Sequence, residues 1–219
     1  YALSISFMVA AILFAIKFLP EKKPEQISVC MKVDTESYKN IVAELNHKKV
    51  SLVAVSKTKS PEEISALYNL GQRDFGENYV QELVEKYEQL PKDIRWHFIG
   101  HLQSNKVKLI APFVFLIHSV DSEKILKEIN KQGKKNNHVI DCLLQVHIAE
   151  EETKFGFDEK ELDTLFKEFL SIDNFSHYQN IRITGLMGMA SFTDDVEIVK
   201  KEFQHLKLLF DQYSELQVN

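Results

Sequence analysis

One lysine of this 219-residue chain lies where a buried strand is predicted to end and a helix to begin. Lys57 follows a short apolar, largely β-branched run at residues 52–55, which is typical of a strand covered on both faces. Ser60 and Glu63 then form a capping-box pattern, which predicts the start of a helix. Burial of the Lys57 stem would favour its neutral amine, which can condense with an aldehyde. Lys59 fits an ordinary exposed loop lysine better.

A second group of polar residues follows the next predicted strand. Glu77 and Asn78 come directly after Gly76, which permits a tight turn. In a parallel sheet both side chains would project over the same end of the sheet as Lys57. Asn78 also has a purely structural alternative, because asparagine is a common helix N-cap and a helix is predicted to begin there.

Two histidines flank the end of the third predicted strand, within the sequence at residues 96–106. Strand alternation places His97 and His101 on one side of the strand. A single strand histidine is more often a buried structural residue than a catalyst. A pair of metal ligands four residues apart is typical of a helix, whereas these two histidines lie on a strand interrupted by Gly100, so we predict no metal site.

Strand and helix patterns alternate from residue 49 onward. The predicted strands cover residues 50–55, 72–75, 94–99, 114–120, 138–148 and 181–187. The predicted helices cover residues 61–70, 78–90, 122–132, 159–170 and 195–213. Such βα units in series predict parallel strands, in either a doubly wound sheet or a barrel. No glycine-rich phosphate motif follows any strand, which disfavours dinucleotide binding.

The overall composition is that of an ordinary globular domain. Hydrophobic residues make up 44% and charged residues 27%, with a net charge of −5. This mild acidity argues against a nucleic-acid partner, because phosphate binding usually requires a basic face. The two cysteines, Cys30 and Cys142, form neither a disulfide framework nor a metal-binding spacing, so we expect a reducing compartment.

The first thirty residues differ from the remainder. Residues 1–16 are almost entirely apolar, and Lys17, Lys22 and Lys23 follow. Either this segment is a short membrane anchor, with the remainder in the cytoplasm, or it is an artefact of a sequence that begins within a longer reading frame. It has no basic start and no clear cleavage site, which disfavours a signal peptide.

Taken together, the motifs resemble the pyridoxal phosphate homeostasis proteins. The matching stretches are Ala54–Lys59, Phe75–Glu82, Trp96–Lys106, His118–Asp121 and Gly185–Met187. The resemblance covers residues 31–219 and leaves residues 1–30 outside it. It implies an α/β fold, a (β/α)8 TIM barrel of the alanine-racemase N-terminal-domain type, here incomplete with about six of the eight βα units.

The same resemblance implies a cofactor site. Lys57 would hold pyridoxal 5′-phosphate (PLP) as an aldimine, and Asn78, His97 and Met187 would line the pocket. Residues 154–156 would form a structural or rim loop. The family's phosphate-binding segments, after strands seven and eight, have no counterpart here. We therefore expect a C-terminally truncated barrel with an open edge, weak PLP affinity and poor solubility.

We predict that the protein is a PLP carrier and not an enzyme. Racemisation requires acid–base groups on both faces of the cofactor, and Lys57 could serve only one. The predicted protein is a cytoplasmic monomer that passes PLP to PLP-dependent apoenzymes. One alternative is a PLP-dependent racemase or decarboxylase, with the second base supplied by His97 or by another subunit. A further alternative is a membrane-tethered binding module that uses residues 1–20.

Overall fold

The computed structural model describes residues 34–149, 155–170 and 178–216. Six parallel strands form one sheet in which each strand pairs with the next one in the sequence. The strands are β1 (Ala54–Val55), β2 (Asp74–Glu77), β3 (Arg95–Phe98), β4 (Leu116–Val120), β5 (Ile140–Val146) and β6 (Ile181–Gly188). Within the described residues β1 and β6 do not pair, so the sheet is not closed. The predicted series of six parallel βα units is confirmed.

Seven α-helices accompany the strands in the described part of the chain. They are α1 (Thr35–His47), α2 (Pro61–Asn69), α3 (Val80–Gln89), α4 (Val107–Ile110), α5 (Glu123–Asn136), α6 (Glu159–Leu170) and α7 (Val196–Leu216). A 3-10 turn at Ser104–Lys106 precedes α4. None of the described helices combines the length and the apolar character needed to cross a membrane. Residues 1–30, the apolar segment and linker that were considered as a membrane anchor, lie outside the described residues.

Capping hydrogen bonds confirm the predicted starts of two helices, α2 and α6. The side chain of Ser60 accepts a hydrogen bond from the Glu63 amide, and the Glu63 carboxylate accepts one from the Ser60 amide. Asp158 and Glu161 form the same reciprocal pair at the start of α6. These side chains satisfy amide groups that the first helical turn leaves without partners.

Other predicted boundaries are wrong. The first helix, α1, was not expected, because Leu45 is its one buried residue and its apolar pattern is correspondingly weak. Helix α5 was expected to stop at Gly133 but continues to Asn136, and Asn137 adopts the left-handed conformation (φ 49°) that ends it. A Cβ atom at Gly133 would lie 2.5 Å from the carbonyl oxygen of Asn180. Gly133 therefore permits a close backbone approach and does not cap the helix.

Strand β2 also begins two residues later than predicted. Gly76 is consequently part of the strand, where a Cβ atom would meet the side chain of Ile99 at 3.0 Å. Gln72, predicted as a strand residue, donates from Nε2 to the carbonyl oxygens of Leu52 (2.9 Å) and Asp74 (2.6 Å). This side chain thus ties the chain before β1 to the start of β2.

The sheet divides its side chains between a large apolar layer and a small mixed one. Alternate strand residues such as Phe75, Trp96 and Phe98 pack with the helices into the main core. The opposite face of the strands carries a separate cluster of Leu116, Leu143 and Met187. Much of that second face is polar, since Asp74, Arg95, His97, His118, Asp141 and Arg182 alternate with the core residues.

Candidate functional site

Lys57 lies in the loop between β1 and α2, at the carboxyl end of the sheet. Its side chain is partly buried, whereas Thr58 and Lys59 are exposed. Ser56 precedes it and is buried, and the Ser56 amide donates to the Gly76 carbonyl oxygen at 2.9 Å, which extends the β1–β2 pairing. The predicted position of Lys57, directly after a strand and before a helix, is therefore the observed one.

A buried ion pair lies directly beneath this loop. Glu77, the last residue of β2, is fully buried, and its Oε1 accepts from the Ser56 hydroxyl at 2.5 Å and from Lys86 Nζ at 2.8 Å. Burial raises the pKa of the Glu77 carboxyl, and the hydrogen bonds from Lys86 and Ser56 offset only part of that effect. The expectation that Glu77 projects over the mouth of the site is wrong, because its side chain faces α3.

Lys86 connects this ion pair to both sides of the loop. In addition to Glu77, its ammonium donates to the Ser56 carbonyl oxygen at 2.6 Å and to Glu82 Oε1 at 2.6 Å. These three acceptors match the three protons of an ammonium group. The sequence offered one signal that was missed, since Val80, Leu83 and Lys86 follow at spacings of three along the buried face of α3. A charged residue in such a row requires a buried partner.

Thr58 completes the arrangement on the far side of Lys57. Its backbone has φ +62°, a left-handed conformation that β-branched residues rarely adopt. The Thr58 amide donates to Glu82 Oε1 at 2.6 Å, the same oxygen that Lys86 contacts. Side chains of α3 thus hold the residues on either side of Lys57.

Asn78 lies in the turn between β2 and α3. Helix α3 begins at Val80 with Tyr79 as its N-cap, so the alternative role of Asn78 as the helix N-cap is wrong. The Asn78 backbone packs on Gly100, where a Cβ atom would lie 2.1 Å from the Asn78 carbonyl oxygen. The side-chain oxygen of Asn78 is buried and has no hydrogen-bond partner among the residues that the structure describes. Asn78 therefore presents an unused acceptor beside the end of β2.

His97 lies deeper in the sheet, within a chain of buried polar groups. Its Nε2 is 3.0 Å from Asp74 Oδ1, and its Nδ1 is 2.8 Å from His118 Nε2. Burial opposes ionisation of Asp74, but hydrogen bonds from Arg95 and His97 outweigh it and lower the Asp74 pKa to about 2. Burial lowers the His118 pKa to about 3, so His118 is neutral at pH 7.

Both ring nitrogens of His97 are thus occupied by other side chains. Asp74 is ionised and accepts from His97 Nε2, and His118 supplies the partner at Nδ1. This arrangement favours a supporting role for His97 over direct polar contact with a ligand. Its predicted place in the pocket lining stays a prediction.

Met187 lies near the end of β6, in register with Gln145 of β5. Its side chain is buried against Leu116 and Leu143 in the small second cluster. The strand therefore brings Met187 to the same face of the sheet as His97, and toward the same end as Lys57. Its predicted contact with the cofactor stays a prediction.

The loops after β3, β4 and β5 meet at the rim of the carboxyl end. His101 Nδ1 lies 2.9 Å from Asp121 Oδ2, and the His101 ring stacks on Phe155 with centroids 4.4 Å apart. Phe155 belongs to the predicted rim loop, of which residue 154 lies outside the described part. Among the described residues no group of three or more His, Cys, Asp or Glu side chains could hold a metal ion.

A sequential parallel βα sheet, with a lysine just after its first strand, is the architecture of an incomplete alanine-racemase-like barrel domain. The family described as alanine racemase, N-terminal domain, matches residues 33–219. The chain is 41% identical to the pyridoxal phosphate homeostasis protein of Aquifex aeolicus, over 74% of this chain and 68% of that protein. The Haemophilus influenzae protein of the same name is 38% identical, over 80% of this chain and 72% of that protein. This chain belongs to the pyridoxal phosphate homeostasis protein family.

Solved structures agree with that assignment. PipY from Synechococcus elongatus without PLP has a TM-score of 0.76 at 28% identity, covering 84% of this chain and 83% of PipY. PipY with PLP bound has a TM-score of 0.72 at the same identity, covering 84% and 82%. An alanine racemase from Clostridium difficile has a TM-score of 0.66 at 14% identity, over 85% of this chain and 48% of the racemase, and shares the fold alone. The predicted family and fold class are confirmed.

Proposed function

We propose that this chain binds PLP through Lys57 and serves PLP homeostasis without catalysing a reaction of its own. The observation that carries the proposal is the position of Lys57, partly buried and directly after β1, in a fold shared with a PLP-bound relative. The family name of its relatives supports the homeostatic role. The chemistry that PLP supplies is an aldehyde, which condenses with a neutral primary amine and releases one water.

The residues around Lys57 fit such a ligand. Lys57 supplies the amine, and the neighbouring strand end supplies a buried oxygen of Asn78 that has no hydrogen-bond partner in the described part of the chain. Gly100 leaves room for the Asn78 backbone, which fixes that side chain close to the end of β2. An unsatisfied buried acceptor is costly, so a polar ligand group that donates to it would be favoured.

The arrangement of His97 supports the non-catalytic part of the proposal. A racemase or decarboxylase would need a second acid–base group besides the lysine. His97 was the predicted candidate in this chain, and its two nitrogens are already engaged by Asp74 and His118. No observation in the described residues favours the catalytic alternative.

The decisive test is covalent capture at one lysine. The protein is incubated with PLP, reduced with borohydride and digested, and the modified peptide is identified by mass spectrometry. We expect modification at Lys57, loss of it in Lys57→Ala, and retention in Lys59→Ala, which removes an exposed amine from the same loop. Modification at another lysine would contradict the site assignment. Racemase turnover that depends on Lys57 would contradict the non-catalytic role.

The proposal also includes a cytoplasmic monomer that passes PLP to PLP-dependent apoenzymes. Light scattering after gel filtration tests the oligomeric state, and fractionation of cells that express the intact gene tests the location. A membrane-bound product would favour the tethered alternative, whose residues 1–20 lie outside the described part of the chain.

A further inference from the structure

We propose that Lys86 is a positioning residue for Lys57. Its ammonium holds Glu77 and Glu82, and through them it fixes the residues before and after Lys57. The direction in which the Lys57 amine enters the site is therefore set by a lysine on α3. The functional consequence rests on the proposed PLP binding at Lys57, whereas the conformational consequence does not.

The first half of the argument concerns Ser56. Lys86 Nζ contacts the Ser56 carbonyl oxygen at 2.6 Å, and Glu77 Oε1 contacts the Ser56 hydroxyl at 2.5 Å. The Ser56 carbonyl belongs to the peptide group that joins Ser56 to Lys57. A hydrogen bond to this oxygen restricts rotation of the peptide plane that leads directly into Lys57.

The second half concerns Thr58. Its positive φ is unfavourable for a β-branched residue, so external contacts must maintain it. One such contact is the hydrogen bond from the Thr58 amide to Glu82 Oε1, the oxygen that Lys86 also holds. Lys86 thereby fixes the acceptor on which the Thr58 conformation depends.

A cation is required at this point because two carboxylates converge on it. Glu77 is fully buried and cannot reach water, but the Glu82 side chain is 22% exposed and can. Without the Lys86 charge the two carboxylates would repel each other, and Glu82 would turn toward solvent. The Thr58 amide would then lose its acceptor while the sheet remained paired.

The competing explanation is that Lys86 forms a structural ion pair that has no effect on Lys57. Measurements on the ligand-free protein distinguish the two explanations. Hydrogen exchange is measured at the Thr58 amide, and acylation rates of Lys57 and Lys59 are compared by mass spectrometry. Lys86→Met and Glu82→Ala should each accelerate Thr58 exchange about tenfold and change the Lys57-to-Lys59 rate ratio. Glu82→Gln retains an oxygen for the Thr58 amide and should give a smaller change than Glu82→Ala. PLP capture at Lys57 should slow about tenfold in Lys86→Met and Glu82→Ala.

Arg182→Met is the matched control, because it breaks an ion pair with Asp141 at the amino end of β6, away from the loop. It should lower stability without changing Thr58 exchange or the Lys57-to-Lys59 ratio. If Lys86→Met fails to fold, the partly exposed Glu82 provides the decisive variants. The proposal would be overturned if Glu82→Ala kept the wild-type Thr58 exchange rate and Lys57-to-Lys59 labelling ratio. It would also be overturned if Arg182→Met changed these two quantities as much as the α3 variants do. If wild-type protein captures no PLP at Lys57 while these ligand-free readouts change as expected, the proposed function fails and the positioning role stands.

Discussion

Replacing Lys86 by methionine should be among the most destabilising single changes in this protein. Lys86 is 4% exposed and Glu77 is fully buried, so Lys86→Met leaves a carboxylate in the interior whose remaining partner, among the described residues, is the Ser56 hydroxyl. Removal of one member of a buried ion pair typically costs about 3–5 kcal/mol. With a urea slope of about 2 kcal/mol per molar, the unfolding midpoint should fall by about 2 M.

The pH dependence of this loss follows from Glu77. Burial raises the folded-state pKa of Glu77 above its ordinary value of 4.5, and loss of the Lys86 cation raises it further. Between the unfolded and folded pKa values the folded protein binds more protons, so its stability falls as pH rises. Lys86→Met should therefore be least damaging near pH 5 and most damaging near pH 8.

Urea unfolding followed by circular dichroism at both pH values provides the assay. The double variant Glu77→Gln with Lys86→Met should lose less stability than the sum of the two single variants, by about 1–3 kcal/mol. Lys48→Met removes an exposed pair with Glu44, which has the same four-residue spacing as Glu82 and Lys86, and should cause no measurable loss. A loss for Lys86→Met no larger than for Lys48→Met, or additivity of the two buried substitutions, would refute the reasoning.

Three further predictions concern other positions. The folded-state pKa of Asp74 is held at about 2, below its ordinary value of 3.8, so about 2 kcal/mol of stability should disappear as pH falls from about 5 to 2. In Asp74→Asn the free energy of unfolding, measured across the same pH range, should not show this loss. Gly100→Ala would place a methyl group 2.1 Å from the Asn78 carbonyl oxygen, and it should cost about 1–3 kcal/mol in urea unfolding and weaken PLP binding in an absorbance titration. Gly133→Ala meets backbone oxygens at 2.5 and 2.7 Å and should cost about as much stability, but it lies away from the site and should leave PLP affinity unchanged.

Short sequence patterns correctly predicted those features of the fold that are determined by residues close together in the chain. The cap formed by Ser60 and Glu63, and the apolar runs of the strands, gave the order of the βα units and the position of Lys57. Each of these features is determined within a few residues of the chain. The family motifs then supplied the fold class, which the similar structures confirm.

The features that sequence reasoning missed depend on residues that are distant in the chain and close together in the fold. Gly133 reads as a helix stop until the carbonyl oxygen of Asn180, forty-seven positions later, is known to lie against it. Lys86 shares a helix face with Val80 and Leu83, but its partners are known only once the β1–α2 loop is placed over α3. Likewise, the pairing of His97 with His118 requires the β3–β4 register. Sequence spacing alone contains none of these distances.

The order of the strands has a consequence for how the chain reaches this structure. Ala54 pairs with Phe75 and Asp74 with Arg95, so the first contacts of the sheet join residues only 21 positions apart. Ile140 pairs with Ile181, 41 positions away, which adds about 0.6 kcal/mol of loop-closure entropy relative to the earlier pairs. Assembly can therefore proceed from the amino-terminal units while the ribosome is still extending the chain, and the union of β5 with β6 should be the slowest step.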